Sequence, residues 1–144
     1  MPWTAKNPDF EKLIRDGFSN EPPMLLIGAT MGKVEPGLVE IHLPITKNVM
    51  TSYVPVVHGG VLAMLADAAM AQAGLTLAEP GGAGVTLEYK INLMSAAAGV
   101  EVLARGTVVK PGRRTTVARA DLFSVAEDGA EKAVATALGT LIAL

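Results

Sequence analysis

The chain contains no cysteine. That excludes disulfides and thiolate metal sites, and it is compatible with a reducing compartment. Histidine is almost as scarce, with only His42 and His58, so neither a metal nor an organic cofactor is implied. Aromatic residues make up 4% of a chain that is 50% hydrophobic. The apolar content is therefore mostly Ala, Val, Leu and Met, which suits close packing of one element on another. The formal net charge is only −2, and nothing points to a general nucleic-acid partner. The opening residues 1–8 lack the apolar core of a signal peptide. The longest apolar stretch, 61–79, carries Asp67 and Gln72 near its middle, where a membrane span disfavours charge. These absences predict a soluble, cytoplasmic protein.

What is present is enough for one domain with its own core, 144 residues long. Residues 1–22 read as an N-terminal helical extension, with a short helix over 7–18 carrying Phe10, Leu13, Ile14 and Phe18 as its apolar stripe. Residues 24–34 and 37–45 read as two strands joined by the turn Glu35-Pro36-Gly37. An irregular segment, 46–57, leads to a long helix over about 59–77. Glu79-Pro80-Gly81-Gly82 breaks the chain. Strands are predicted at 85–93, 100–109, 115–125 and 132–144. The long helix is apolar all round, so a sheet must wrap it or a second copy must cover it. Five or six strands around one central helix make an antiparallel α+β domain.

Asp67 stands out in that helix. Its neighbours at helical spacing are Ala63, Met64, Met70 and Ala71, and no Lys or Arg occurs between Lys47 and Lys90. A carboxylate in such a setting has either a partner from elsewhere or a function, and it suits a general base toward water or a nucleophile. His58-Gly59-Gly60 opens the same helix. Free N–H groups at a helix start attract a negative oxygen, and glycine lets a ligand approach the backbone. An oxyanion formed by attack on a carbonyl would be stabilised there, with His58 as a further donor. Gly59 and Asp67 are eight residues apart, about 12 Å along a helix. One carbonyl cannot reach both, so a shared substrate requires Asp67 from one subunit and Gly59 from another, in a two-fold dimer.

His58-Gly59-Gly60, then Leu62, Leu65, Ala66, Asp67 and Ala68, followed by Gly84-Val85-Thr86, resembles the hotdog-fold acyl-CoA thioesterases of the PaaI-like group. The resemblance covers roughly 25–144 and includes the element order. It implies a five- to six-stranded antiparallel sheet wrapped around the central helix, and thioester hydrolysis with Asp67 performing or activating the attack. It also implies that Gly59, assisted by His58 and Gly60, polarises the carbonyl across a dimer interface. Thr86 matches the small hydroxyl residue that places the water. Where the family commonly has Asn, this chain has Ser52, and Asn48 lies nearby. Lys110, Arg113 and Arg114 cluster at one turn and are candidates for the phosphates of coenzyme A. The implied partners are an acyl-CoA substrate and the chain itself, as a homodimer that pairs into a dimer of dimers. The dispersed residues Met24, Met31, Met50, Met64, Met70 and Met94 are expected in the core or along an acyl tunnel. Two rival functions accompany this reading: an acyl-thioester dehydratase or hydratase, and a non-catalytic acyl-CoA-binding protein.

Overall fold

A computed structural model describes residues 3–144. Two short helices come first, α1 (Phe10–Ser19) and α2 (Pro22–Ile27). Strands β1 (Thr30–Glu35) and β2 (Leu38–Pro44) form a hairpin, and the long helix α3 (Gly59–Leu75) follows. Four strands complete the chain: β3 (Gly84–Leu93), β4 (Glu101–Lys110), β5 (Thr115–Val125) and β6 (Glu131–Ala143). The six strands form one wholly antiparallel sheet in the order β1-β2-β4-β5-β6-β3. The sheet lies against α3, which touches β2 through β6. This is the hotdog architecture predicted from the sequence.

The strand predicted over 24–34 is wrong in its first half. Residues 22–27 are helical, and the strand begins only at Thr30. Pro22 and Pro23 stand in the first helical turn, where a missing N–H costs nothing. Gly28 then ends the helix at φ 80°, a left-handed conformation that glycine adopts without strain. In α1, Ile14 and Phe18 are buried as the pattern predicts, whereas Leu13 is exposed. Arg15 fastens α1 to the sheet, donating from its guanidinium to the Gly32 carbonyl at 2.9 Å. His42, on the outer face of β2, is half-buried and paired with Glu101 at 2.8 Å.

The scarcity of aromatics has its physical reason at the contact between helix and sheet. The face of the sheet toward α3 is built from Ala104, Gly106, Ala118, Ala120, Ala135 and Ala137 at its centre, all buried. Ala66, Ala69 and Ala73 of α3 meet it and are fully buried. Contact is closest at Gly106, where a Cβ would stand 2.0 Å from the Ala69 carbonyl oxygen. Backbone thus rests almost on backbone, and larger apolar residues such as Ile41, Leu43, Leu65, Met70 and Leu122 fill the space to either side.

Edge strand β3 departs from simple alternation. Its pairing with β6 shifts between Thr86 and Glu88, leaving Leu87 as the extra residue of a bulge. Thr86 pairs with Leu141, and beyond the bulge Tyr89, Ile91 and Leu93 pair with Gly139, Ala137 and Ala135. Those four partners share one face of β6, the face toward α3. The bulge therefore places Thr86 on the helix side together with Ile91 and Leu93. Unbroken alternation would have put it on the opposite face.

Two glycines separate the consequences of contact and of helix propensity. Gly106→Ala is expected to destabilise the fold by about 3 kcal/mol, the upper range for overpacking. Gly17→Ala, in α1 with nothing within 4 Å of the added methyl, is expected to stabilise it by up to about 1 kcal/mol. Urea unfolding of both variants checks this, and a Gly106→Ala protein as stable as wild type would contradict the close packing.

Candidate active site

His58 caps α3 with extended backbone (φ −61°, ψ 134°). Its Nδ1 accepts the Gly60 N–H at 2.9 Å, so the ring proton sits on Nε2, which is left to donate. Its carbonyl accepts the N–H groups of Val61 and Leu62 at 2.9 and 3.2 Å. Of the four orphan donors of the helix start, those of Gly60 and Val61 are thus satisfied by His58, and the His58 N–H itself donates to the Val49 carbonyl at 2.9 Å. The Gly59 N–H has no acceptor among the described residues. Of the two glycines singled out in the sequence, Gly59 offers the open donor, and Gly60 serves the cap. A Cβ at Gly59 would meet only Leu93 Cδ1, at 2.7 Å, the tip of an exposed side chain that can turn aside, so space alone does not hold this position to glycine.

Asp67 lies on the one stripe of α3 that the sheet does not cover, with Gly60, Met64 and Ala71. It is partly buried. Its Oδ1 accepts the Thr86 hydroxyl at 2.6 Å, a contact the bulge at Leu87 makes possible. It joins no ion pair among the described residues. Among the described residues no buried side-chain oxygen is left without a partner, so the unpaired Oδ2 is reached by solvent. The carboxylate is held by one oxygen and open at the other.

Within the protomer the candidates fall into separate groups. Asp67 and Thr86 meet at mid-helix. His58 and Gly59 lie eight residues earlier, about 12 Å away along the axis. Ser52 is exposed in a loop closed by the Met50–Val57 bridge, beside the fully exposed Tyr53. Asn48 is exposed in the 3-10 turn Lys47–Val49. Lys110, Arg113 and Arg114 are exposed at the β4–β5 turn, and none of the three joins an ion pair among the described residues.

A cavity of about 550 Å³ lies toward the C-terminal end of α3, bounded by Ala71, Gly74 and Leu141 on one side and by Trp3 and Leu77 on another. The sequence suggested an apolar tunnel beside the helix but not these walls, which come from four distant parts of the chain. None of the six methionines expected in the core or along a tunnel lines it. Met24 and Met70 are buried in the core, while Met64 and Met94 are exposed. Among the described residues no helix is long and apolar enough to cross a membrane.

The chain matches the model of the thioesterase superfamily over residues 55–130, a span that holds His58, Gly59, Asp67 and Thr86. No curated protein matches it. Among solved structures it is similar to a thioesterase family protein from Silicibacter pomeroyi, at 35% identity and TM-score 0.89, covering 94% of this chain and 98% of that one. A thioesterase from Haemophilus influenzae is 26% identical at TM-score 0.82, with coverage of 100% and 95%. The Escherichia coli PaaI protein from the phenylacetic acid degradation operon shares the fold at 20% identity and TM-score 0.82, with coverage of 97% and 96%. The motif, the element order and these matches agree, and the chain belongs to the thioesterase superfamily, with its hotdog fold.

Proposed function

We propose that the protein hydrolyses an acyl-CoA thioester to the free acid and coenzyme A, in a homodimer whose active site is shared between protomers. The observation that carries this reading is the Asp67 carboxylate, fixed by Thr86 through one oxygen and open at the other. As general base, Asp67 takes a proton from water, and the water oxygen attacks the thioester carbonyl carbon. The developing oxyanion accepts the N–H of the partner's Gly59, beside the Nε2–H of the partner's His58. Collapse breaks the carbon–sulfur bond, and the departing thiolate takes the proton from Asp67. In the direct variant of the same chemistry, Asp67 itself attacks the carbonyl and water releases the acyl group. Ser52 stands at the loop before the partner's helix start, where its hydroxyl can join the water or the carbonyl.

The dimer is supported by what the protomer leaves uncovered. Strand β3 is an edge of the sheet, and Val85, Leu87, Leu93 and Met94 are exposed on or beside it. An apolar edge strand of this length is normally paired or covered. The uncovered stripe of α3 runs alongside it. A two-fold arrangement that covers both would bring two antiparallel helices together and place each Asp67 near the other helix start. Two such dimers would then form the tetramer. The basic turn at Lys110, Arg113 and Arg114, from either protomer, would receive the coenzyme A phosphates.

Four outcomes are expected. Asp67→Asn lowers kcat for acyl-CoA hydrolysis by about 10³-fold and leaves the dimer intact, and Thr86→Val lowers it about tenfold through loss of a hydrogen bond to a charged oxygen. Thiol release, read with a thiol reagent, measures both, and full turnover in Asp67→Asn would remove the assignment. Leu87→Lys gives a folded monomer in sedimentation with hydrolysis down at least about 100-fold, whereas a persistent dimer would contradict the interface. Arg113→Ala with Arg114→Ala raises KM for acyl-CoA about tenfold but leaves the corresponding acyl-pantetheine unaffected. An equal change for both substrates would exclude phosphate contact.

A further inference from the structure

The cavity beside α3 begins one helical turn from Asp67. Ala71 and Gly74, which line it, follow Asp67 at i+4 and i+7 and so share its face of the helix. Leu141, which also lines it, is the cross-strand partner of Thr86, the residue bonded to Asp67. The cavity therefore adjoins the Asp67–Thr86 pair, and an acyl group whose carbonyl sits at Asp67 would extend toward it.

The far end is lined by Trp3, Thr4 and Lys6 of the N-terminal segment. Trp3 lies over the β1–β2 turn, where its indole fills the place that a side chain at Gly37 would occupy. Gly37, at φ 79°, donates its N–H to the Thr76 hydroxyl at 2.7 Å, which sets this turn against the last residues of α3. Lys6 is tied to Glu79 beyond the helix at 2.7 Å, which leaves Arg113 as the lining charge without an ion pair among the described residues. Trp3 thus stands level with residue 76, about 13 Å along the axis from Asp67. The walls between are aliphatic, with Ala71, Leu75, Leu77, Leu141 and Ile142.

Resting on the hydrolytic reading above, we infer that this cavity holds the acyl group, that the preferred group is a medium-length straight aliphatic chain, and that Trp3 sets its length. A single aryl ring would fill only the part nearest Asp67. The volume, about 550 Å³, lies within the ordinary range of ligand sites. Arg113 at the rim makes coenzyme A the rival occupant.

Trp3 is the only tryptophan in the chain, so its fluorescence reports occupancy of the cavity without any need for turnover. Titration of the full-length protein with decanoic acid carrying a terminal bromine is expected to quench that emission saturably by at least half, while coenzyme A leaves it unchanged. Quenching by neither ligand, or a response to coenzyme A alone, would overturn the inference. In parallel, kcat/KM is measured with octanoyl-, decanoyl-, dodecanoyl- and tetradecanoyl-CoA. Trp3→Ala raises the dodecanoyl-to-octanoyl ratio about tenfold, and Ala78→Phe, which fills the same end from the helix side, lowers it by a similar factor. An unchanged ratio in both variants would overturn the role of Trp3 and leave hydrolysis itself standing. If wild type hydrolyses none of these thioesters, the hydrolytic reading fails, and the fluorescence titration still decides what the cavity holds.

Discussion

The helix at the centre of this fold rests on the sheet through alanine and glycine, with the Ala69 carbonyl where a side chain at Gly106 would be. Most of the architecture depends on that contact. It draws α3 close to the sheet and demands a helix with little side-chain bulk on its inner face, hence the run of Ala in the sequence. Because the sheet wraps one side only, the opposite stripe with Gly60, Met64, Asp67 and Ala71 stays open. Asp67, the base of the proposed hydrolysis, is carried by the face that packing leaves free.

Two local devices turn this open stripe into a candidate site. The bulge at Leu87 aims Thr86 at Asp67 and fixes one carboxylate oxygen. His58 closes its own helix start by accepting three N–H groups, through ring and carbonyl, and leaves the Gly59 N–H without a partner among the described residues. The Asp67 carboxylate and the Gly59 N–H are each prepared locally, and they are about 12 Å apart along the helix of the protomer. In the proposed hydrolysis that separation leaves each protomer with half of a site. The exposed apolar edge at β3 is a surface that a second copy would cover in the proposed dimer.

Much of this was legible in the sequence. Periodicity gave the six strands from 30 onward and the long helix, since alternation such as Val39, Ile41 and Leu43 reports burial directly. The isolation of Asp67 from any nearby cation marked it before coordinates did. Other features escaped for physical reasons. The residues 22–27 look like a strand because they are a short apolar run, and only Pro22 at the helix start and Gly28 at its end betray a helical turn. Thr86 was matched by resemblance, but its direction depends on a bulge, which no alternation pattern reveals. His58 as its own helix cap follows from ring geometry. The cavity is assembled from the N-terminal segment, the end of α3 and two strand ends, so no local pattern encodes it.

The claim that a working site needs two protomers is tested most directly by mixing. Asp67→Asn protein lacks the base, and Gly59→Pro protein lacks the donor at the helix start, so each homodimer should be inactive if both remain folded. Co-refolded in equal amounts, they form heterodimers in which one of the two sites combines an intact Asp67 with the partner's intact Gly59. The account predicts that the purified heterodimer regains about half of wild-type thioester hydrolysis. A heterodimer as inactive as its parents would contradict the shared site.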